Sequence, residues 1–194
     1  MPGSRPAWRA YLMRVSQFAV SSIGRDRPGI VAAIAAALLG IVANVEDSRM
    51  AILGGHFTIM LIVSTPQDAD AGALGRDLDA AREELGLGAL TLEEVADEHG
   101  LTRPEASHVV TVYGADHPGI VHSVASAIAD MGVNVIDVAT HLVEDEGAPA
   151  IYAMMMEVDL PDGLTAEGLE STLREVADRE QLDLSIRAVE AEAL

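Results

Sequence analysis

The sequence contains no cysteine. That excludes disulfides, thiolate catalysis and cysteine-ligated zinc, and it fits a cytoplasmic protein. Lysine is missing too. All 12 basic residues are arginines, set against 31 acidic residues, for a formal net charge of −19. A charge of that sign opposes binding to a polyanion, because nucleic-acid affinity comes mainly from cationic side chains that neutralise phosphates. Aromatic residues make up only 3% of the chain, so a core must be built from Val, Ile, Leu, Ala and Met. Those types are plentiful: hydrophobic residues reach 49%, which argues for a packed core and against disorder. No apolar run approaches the ~18 residues of a membrane-spanning helix.

One segment departs from the acidic trend. Ahead of the first acidic residue, Asp26, lie Arg5, Arg9 and Arg14. Residues 1–16 are loosely like an organellar transit peptide. The simpler reading is an N-terminal leader, or an extra element packed by Trp8, Tyr11 and Leu12. Direct DNA binding by this tail is the weaker alternative.

What the sequence does contain is a repeat. Residues 18–31 read FAVSSIGRDRPGIV, and residues 108–121 read HVVTVYGADHPGIV. At a constant offset of 90, Gly24 meets Gly114, Asp26 meets Asp116, Pro28 meets Pro118 and Gly29 meets Gly119. The match continues through Asn44 and Asn134 to Asp47 and Asp137, then slips to an offset of 95. FTIMLIVSTP from Phe57 matches YAMMMEVDLP from Tyr152, so the second copy carries a longer turn at residues 144–149. Two copies of this length are two domains of common ancestry rather than a solenoid.

Each copy reads as a sequence of elements. Residues 18–23 alternate like a half-buried strand, and Gly24 ends it. Pro28 stands where a helix begins, and residues 30–42 form that helix. Residues 44–53 and 57–64 are strands joined by the Gly54-Gly55 turn. Residues 73–85 show a helical face through Leu74, Leu78, Ala81 and Leu85, and residues 90–95 are a final strand. In the second copy the helices fall at about 118–131 and 166–180 and the last strand at 184–189. The order βαββαβ predicts an α/β (α+β) fold. Each copy forms a four-stranded antiparallel sheet with two helices on one face, the ferredoxin-like plait. The expected organisation is a leader at 1–16, a first domain at 17–95, a linker at 96–106 and a second domain at 107–194.

The run D-x-P-G-I-V at the start of the first helix, with Asn at the start of the second strand, resembles the ACT-domain signature. The segment NVEDSRMAILGGHFTIMLIV, residues 44–63, resembles the glycine cleavage system transcriptional repressor group of tandem ACT proteins. The second copy departs from the first at the Ser48-Arg49 pair, where it has Val138 and Ala139. The resemblance implies side-by-side pairing of domains through strand edges and helices, as a homodimer or within one chain. It implies an amino-acid site near the pairing interface, at the first loop and the start of the second strand. It also implies regulation of a metabolic enzyme, or of transcription through a DNA-binding partner protein rather than DNA.

The chemistry of those residues suits a zwitterion. A helix N-terminus offers unpaired N–H groups and a partial positive charge to a carboxylate. Gly29 leaves the backbone approachable, Asp26 offers a negative charge to an ammonium group, and Asn44 can donate and accept. The candidate ligand residues are therefore Asp26, Pro28, Gly29, Ile30 and Asn44, with Asp116, His117, Gly119, Ile120 and Asn134 in the second copy. Glycine and serine are the first ligands to try. Three competing readings need no ligand: Asp26 capping its helix, Gly29 permitting helix–sheet packing, and Asn44 shaping a turn. His117, His122 and His141 lie in the second copy and could line a site, but no metal-ligand spacing supports a metal. No phosphate loop, nucleophile–base pair or cofactor motif is present, so a non-catalytic regulatory protein without a cofactor is expected. The alternative is a ligand-free dimeric scaffold or the regulatory subunit of a metabolic enzyme.

Overall fold

A computed structural model describes residues 15–66, 69–95, 105–143 and 150–189. The leader through residue 14, most of the linker (residues 96–104) and the second copy's longer turn lie outside the described residues. The chain divides into two compact units, residues 1–101 and 102–194. The first runs β1 (Val15–Arg25), α1 (Ile30–Gly40), β2 (Asn44–Leu53), β3 (His56–Pro66), α2 (Ala71–Leu85) and β4 (Leu87–Val95). The second runs β5 (His108–Ala115), α3 (Ile120–Asp130), β6 (Asn134–Val143), β7 (Ile151–Asp159), α4 (Ala166–Glu180) and β8 (Leu182–Ala188).

Each unit holds one antiparallel sheet, ordered β2-β3-β1-β4 in the first and β6-β7-β5-β8 in the second. This is the expected ferredoxin-like plait, twice. The period of two decides which face is covered. In β1 and β3, Phe18, Val20, Phe57, Ile59, Leu61 and Val63 are buried and pack with Ile30, Ile34 and Leu38 of α1 and Leu74 and Leu78 of α2. The second core repeats the plan with Val110, Val112, Met154, Met156 and Val158 against Ile120, Val124, Ile128, Leu169 and Leu173. The run Met154-Met155-Met156 thus splits: the outer two are buried, and Met155 is exposed on the open face.

The boundaries differ slightly from those expected, for physical reasons. β1 and β3 extend to Arg25 and Pro66 because their ladder pairs every position from Val15↔Pro66 to Arg25↔His56. β4 begins at Leu87, since Gly86 takes a left-handed φ of 65° that turns the chain straight out of α2. Helix α1 stops at Gly40 rather than residue 42 because Val42 adopts φ 58°. The Val42 and Ala43 N–H groups donate back to the Leu39 and Leu38 carbonyls, closing the helix in the manner that favours glycine. The second copy makes the same closure with Gly132 at φ 71°, its N–H donating to the Ala129 carbonyl. A β-branched side chain in this region is strained, and Val42 is two-thirds exposed, so it gains little from packing. Val42→Gly should therefore stabilise the protein by about 1 kcal/mol. A higher midpoint in chemical denaturation with an unchanged slope would confirm this; a lower midpoint would mean that the Val42 side chain packs usefully.

Candidate ligand site

The loop between β1 and α1 is fixed at both ends. The Asp26 N–H donates to the Gly55 carbonyl at 3.0 Å, tying the loop to the β2–β3 turn; the Asp116 N–H donates to the Ala150 carbonyl at 3.1 Å. Gly29 and Gly119 then take left-handed conformations, φ 100° and 108°, and precede the helix directly. Their carbonyls accept the first intrahelical bonds, from the Ala33 and Ser123 N–H groups.

The start of each helix pair is treated differently. Helix α2 is capped by Asp70, whose carboxylate accepts from the Ala73 N–H, and α4 by Thr165, whose hydroxyl accepts from the Gly168 N–H. Helices α1 and α3 have no side-chain cap. Asp26 is therefore not the helix cap. A Cβ built on Gly29 would meet nothing within 4 Å, so the glycine does not serve close helix–sheet packing either; its φ explains it. Close approach is required elsewhere, between neighbouring strands of each sheet: a Cβ on Gly24 would meet Leu87 of β4 at 2.9 Å, and one on Gly114 would meet Leu182 of β8 at 2.8 Å.

An open groove of about 510 Å³ begins at this loop in the first unit. Asp26, Pro28 and Gly29 stand at one end, and Val31, Ala35 and Met50 form its walls between α1 and β2. Asp26, Pro28 and Gly29 are exposed, whereas Ile30 is 2% exposed and belongs to the core. Asn44 is not in this group. The loop follows Arg25, which pairs with His56, itself opposite Leu53 at the far end of β2. Asn44 pairs with Ser64 at the other end, so the ten-residue strand separates them by roughly 30 Å. There Asn44 donates to the Glu46 carboxylate at 3.0 Å, and the Ser64 hydroxyl donates to the same oxygen. These bonds, Ser64 first, hold the Glu46 carboxyl below its usual range. Asn134 begins β6 at the matching end of its sheet, paired with Asp159.

His117 is held by the protein itself. Its Nδ1 lies 3.3 Å from the Pro118 carbonyl oxygen and its Nε2 lies 3.2 Å from the Glu180 carbonyl oxygen. Two carbonyl partners need two ring N–H donors, which only the protonated ring has. The Glu180 carbonyl chiefly, then Pro118, raise the His117 pKa above its ordinary value, with the Glu180 and Asp116 carboxylates assisting. The Glu180 carboxylate accepts from the Ser123 hydroxyl at 2.8 Å, which holds that carboxyl low. Arg27 plays the corresponding part in the first unit, donating to the Leu85 carbonyl at 3.2 Å. His117 stands where the first copy has Arg27, and in both copies the side chain clasps the loop to the end of the second helix, a role that sequence reasoning missed. His122 and His141 stand apart: His122 Nδ1 is 3.3 Å from the Ser126 hydroxyl on α3, and His141 is exposed on β6. Among the described residues no group of three His, Asp or Glu side chains is placed to hold a metal.

A family model described as the ACT domain matches residues 16–102 and again residues 107–187. The chain belongs to the ACT-domain family. Three relatives bear on its kind. A UPF0237 protein of Methanopyrus kandleri is 38% identical over 76 residues, covering 39% of this chain and 84% of that protein. Phosphoserine phosphatase SerB2 of Mycobacterium tuberculosis is 25% identical over 169 residues, 86% of this chain but 39% of that enzyme. The glycine cleavage system transcriptional repressor of Escherichia coli is 42% identical over 45 residues, 23% of this chain and 24% of the repressor. The matched stretches thus span well under half the length of each of the latter two. Among solved structures, a protein of Galdieria sulphuraria superposes with a TM-score of 0.76 at 28% identity, covering 91% of this chain and 99% of that one. No helix among the described residues is long and apolar enough to cross a membrane.

The ACT modules differ in how their loops respond to pH. Because the folded-state pKa of His117 is raised, its clasp contributes fully below the ordinary histidine pKa of ~6.5 and is lost as pH rises through the raised value. Arg27 stays charged throughout. His117→Arg should therefore flatten the pH dependence of thermal unfolding between about pH 5.5 and 8.5. An unchanged profile in the variant would mean that the clasp does not stabilise the fold.

Proposed function

We propose that this chain is a non-catalytic regulatory protein whose ACT modules bind a small amino acid at the β1–α1 and β5–α3 loops. Binding then modulates a partner protein, a regulator of transcription being the first candidate. The observation that carries this reading is the pair of uncapped helix starts. In both copies a glycine turn leaves the first-turn N–H groups without a side-chain acceptor, beside an exposed aspartate, while the neighbouring helices of the same units are capped. Donors and a carboxylate so placed suit the two charged ends of an amino acid. The stretch of likeness to a glycine cleavage repressor supports a link to amino-acid metabolism and transcription.

The placement of Asn44 extends the reading. β2 and β6 are edge strands. Antiparallel pairing of two such edges would bring the start of one strand, with its asparagine, beside the loop of the neighbouring module, completing a site that one module holds only in part. Exposed Val45, Met50 and Ile52 on β2, with Val31, Leu39 and Val42 beside α1, favour burial of this side. The same surface favours the second reading, a ligand-free dimeric scaffold or the regulatory subunit of a metabolic enzyme.

A thermal-shift screen against the standard amino acids separates the two. A ligand at 100 times its Kd adds ~2.7 kcal/mol of stability, enough for a clear rise in Tm. Asp26→Ala and Asp116→Ala should weaken binding at least tenfold by calorimetry while leaving the far-UV spectrum intact. Binding at wild-type strength in both variants would place the ligand elsewhere, and no shift with any amino acid would favour the scaffold.

A further inference from the structure

We infer that the first module selects an amino acid with an apolar side chain, and that Met50 sets this preference; the inference rests on the amino-acid reading above. The groove leading from Asp26 is polar at one end only. Its Arg27 guanidinium is already engaged with the Leu85 carbonyl, and beyond the loop the walls are Val31, Ala35 and Met50 over a floor that includes the buried Phe57. A ligand with both charges anchored at the loop would lay its side chain along α1 and β2, where these walls offer it no hydrogen bond. A polar side chain placed there would lose water without compensation, whereas an aliphatic one gains from burial.

The second copy gives an internal comparison. Positions 31 and 35 keep their character as Val121 and Ala125, but Met50 is replaced by Thr140 and Phe57 by Tyr152. Both exchanges keep their place in the sheet: Met50 pairs with Ile59 and Thr140 with Met154, each opposite a buried residue of the helix-covered face. Each exchange adds one hydroxyl to the corresponding wall. The second module therefore lacks the wholly apolar walls of the first and accommodates a side chain that can hydrogen-bond. Of the first ligands to try, serine then suits the second module, while valine, leucine or methionine suits the first.

Valine and threonine, nearly equal in shape, test this directly. The full-length protein, labelled with ¹³C-methyl methionine, is titrated with each, and the Met50 signal is assigned by its loss in Met50→Thr. Valine should move the Met50 resonance at a concentration roughly tenfold or more below that required for threonine. In calorimetry Met50→Thr should lose most of that preference while keeping the wild-type far-UV spectrum, and Thr140→Met should create a second valine site. Amino-acid binding with no valine preference at Met50 would overturn the inference and leave the amino-acid reading standing. A Met50 resonance that moves with protein concentration but with no amino acid would show a second copy covering the groove, overturning the inference. Failure of every amino acid to bind would overturn both.

Discussion

A residue held near φ +100° immediately before a helix is confined to a conformation that side chains other than glycine's rarely adopt. Gly29 and Gly119 hold that place, and the rest of the site depends on it. The turn lets the helix begin with the glycine carbonyl as its first acceptor and, because glycine itself is the N-cap residue, without a side chain there to act as a cap. It also sends the helix across the sheet toward the far end, where the next strand starts. The tie from the Asp26 N–H to Gly55 fixes the loop against the hairpin, and the loop and helix start together line the end of the open groove.

The two copies show which features the backbone requires and which are free to change. Left-handed positions persist whatever occupies them. Val42 answers to Gly132, and Gly86 answers to Gln181, which takes φ 56° after α4 just as Gly86 takes 65° after α2. A bulge interrupts the β2–β3 ladder between Val45 and Asp47 and the β6–β7 ladder between Val135 and Asp137, the same place in each. The clasp on the second helix survives the exchange of Arg27 for His117, because either cation can donate to a helix-terminal carbonyl. What differs is chemistry facing outward: a permanent charge against a titrating one, and a methionine against a threonine.

The repeat, the element order and the sheet faces were legible in the sequence because each is a local pattern. Alternation in residues 57–64 marks one buried face, and β2 runs over residues 44–53 as its flanking turn signals require. The clasp was not legible, since Arg27 and Leu85 lie far apart in the chain and nothing near Arg27 marks its target. The separation of Asn44 from Asp26 was hidden differently. It follows from the strand order alone, yet a list of ligand-suited residues carries no register, and two residues 18 positions apart stand at opposite ends of one sheet. The competing explanation of Asp26 as a cap needed the dihedrals to be set aside: a helix read from Pro28 puts Asp26 close to the capping position, whereas the left-handed Gly29 is itself the N-cap and the helix starts at Ile30.

A ligand can shift an equilibrium only through a difference in its affinity for two states. The interior of each unit is filled by apolar side chains, and no buried side-chain nitrogen or oxygen among the described residues lacks a partner. The variable elements lie at the periphery, where β2 is the edge strand of its sheet and α1 presents exposed apolar residues beside it. The loop and this edge are contiguous, since Met50 lines the groove while Val45 and Ile52 continue along the same strand face. A ligand bound at the loop would thus alter the surface on which another module or a partner docks, and docking would close the groove over the ligand. Linkage would make such a coupling reciprocal: the factor by which pairing at the β2 edge strengthens a ligand's binding at the Asp26 loop is the factor by which that ligand strengthens pairing.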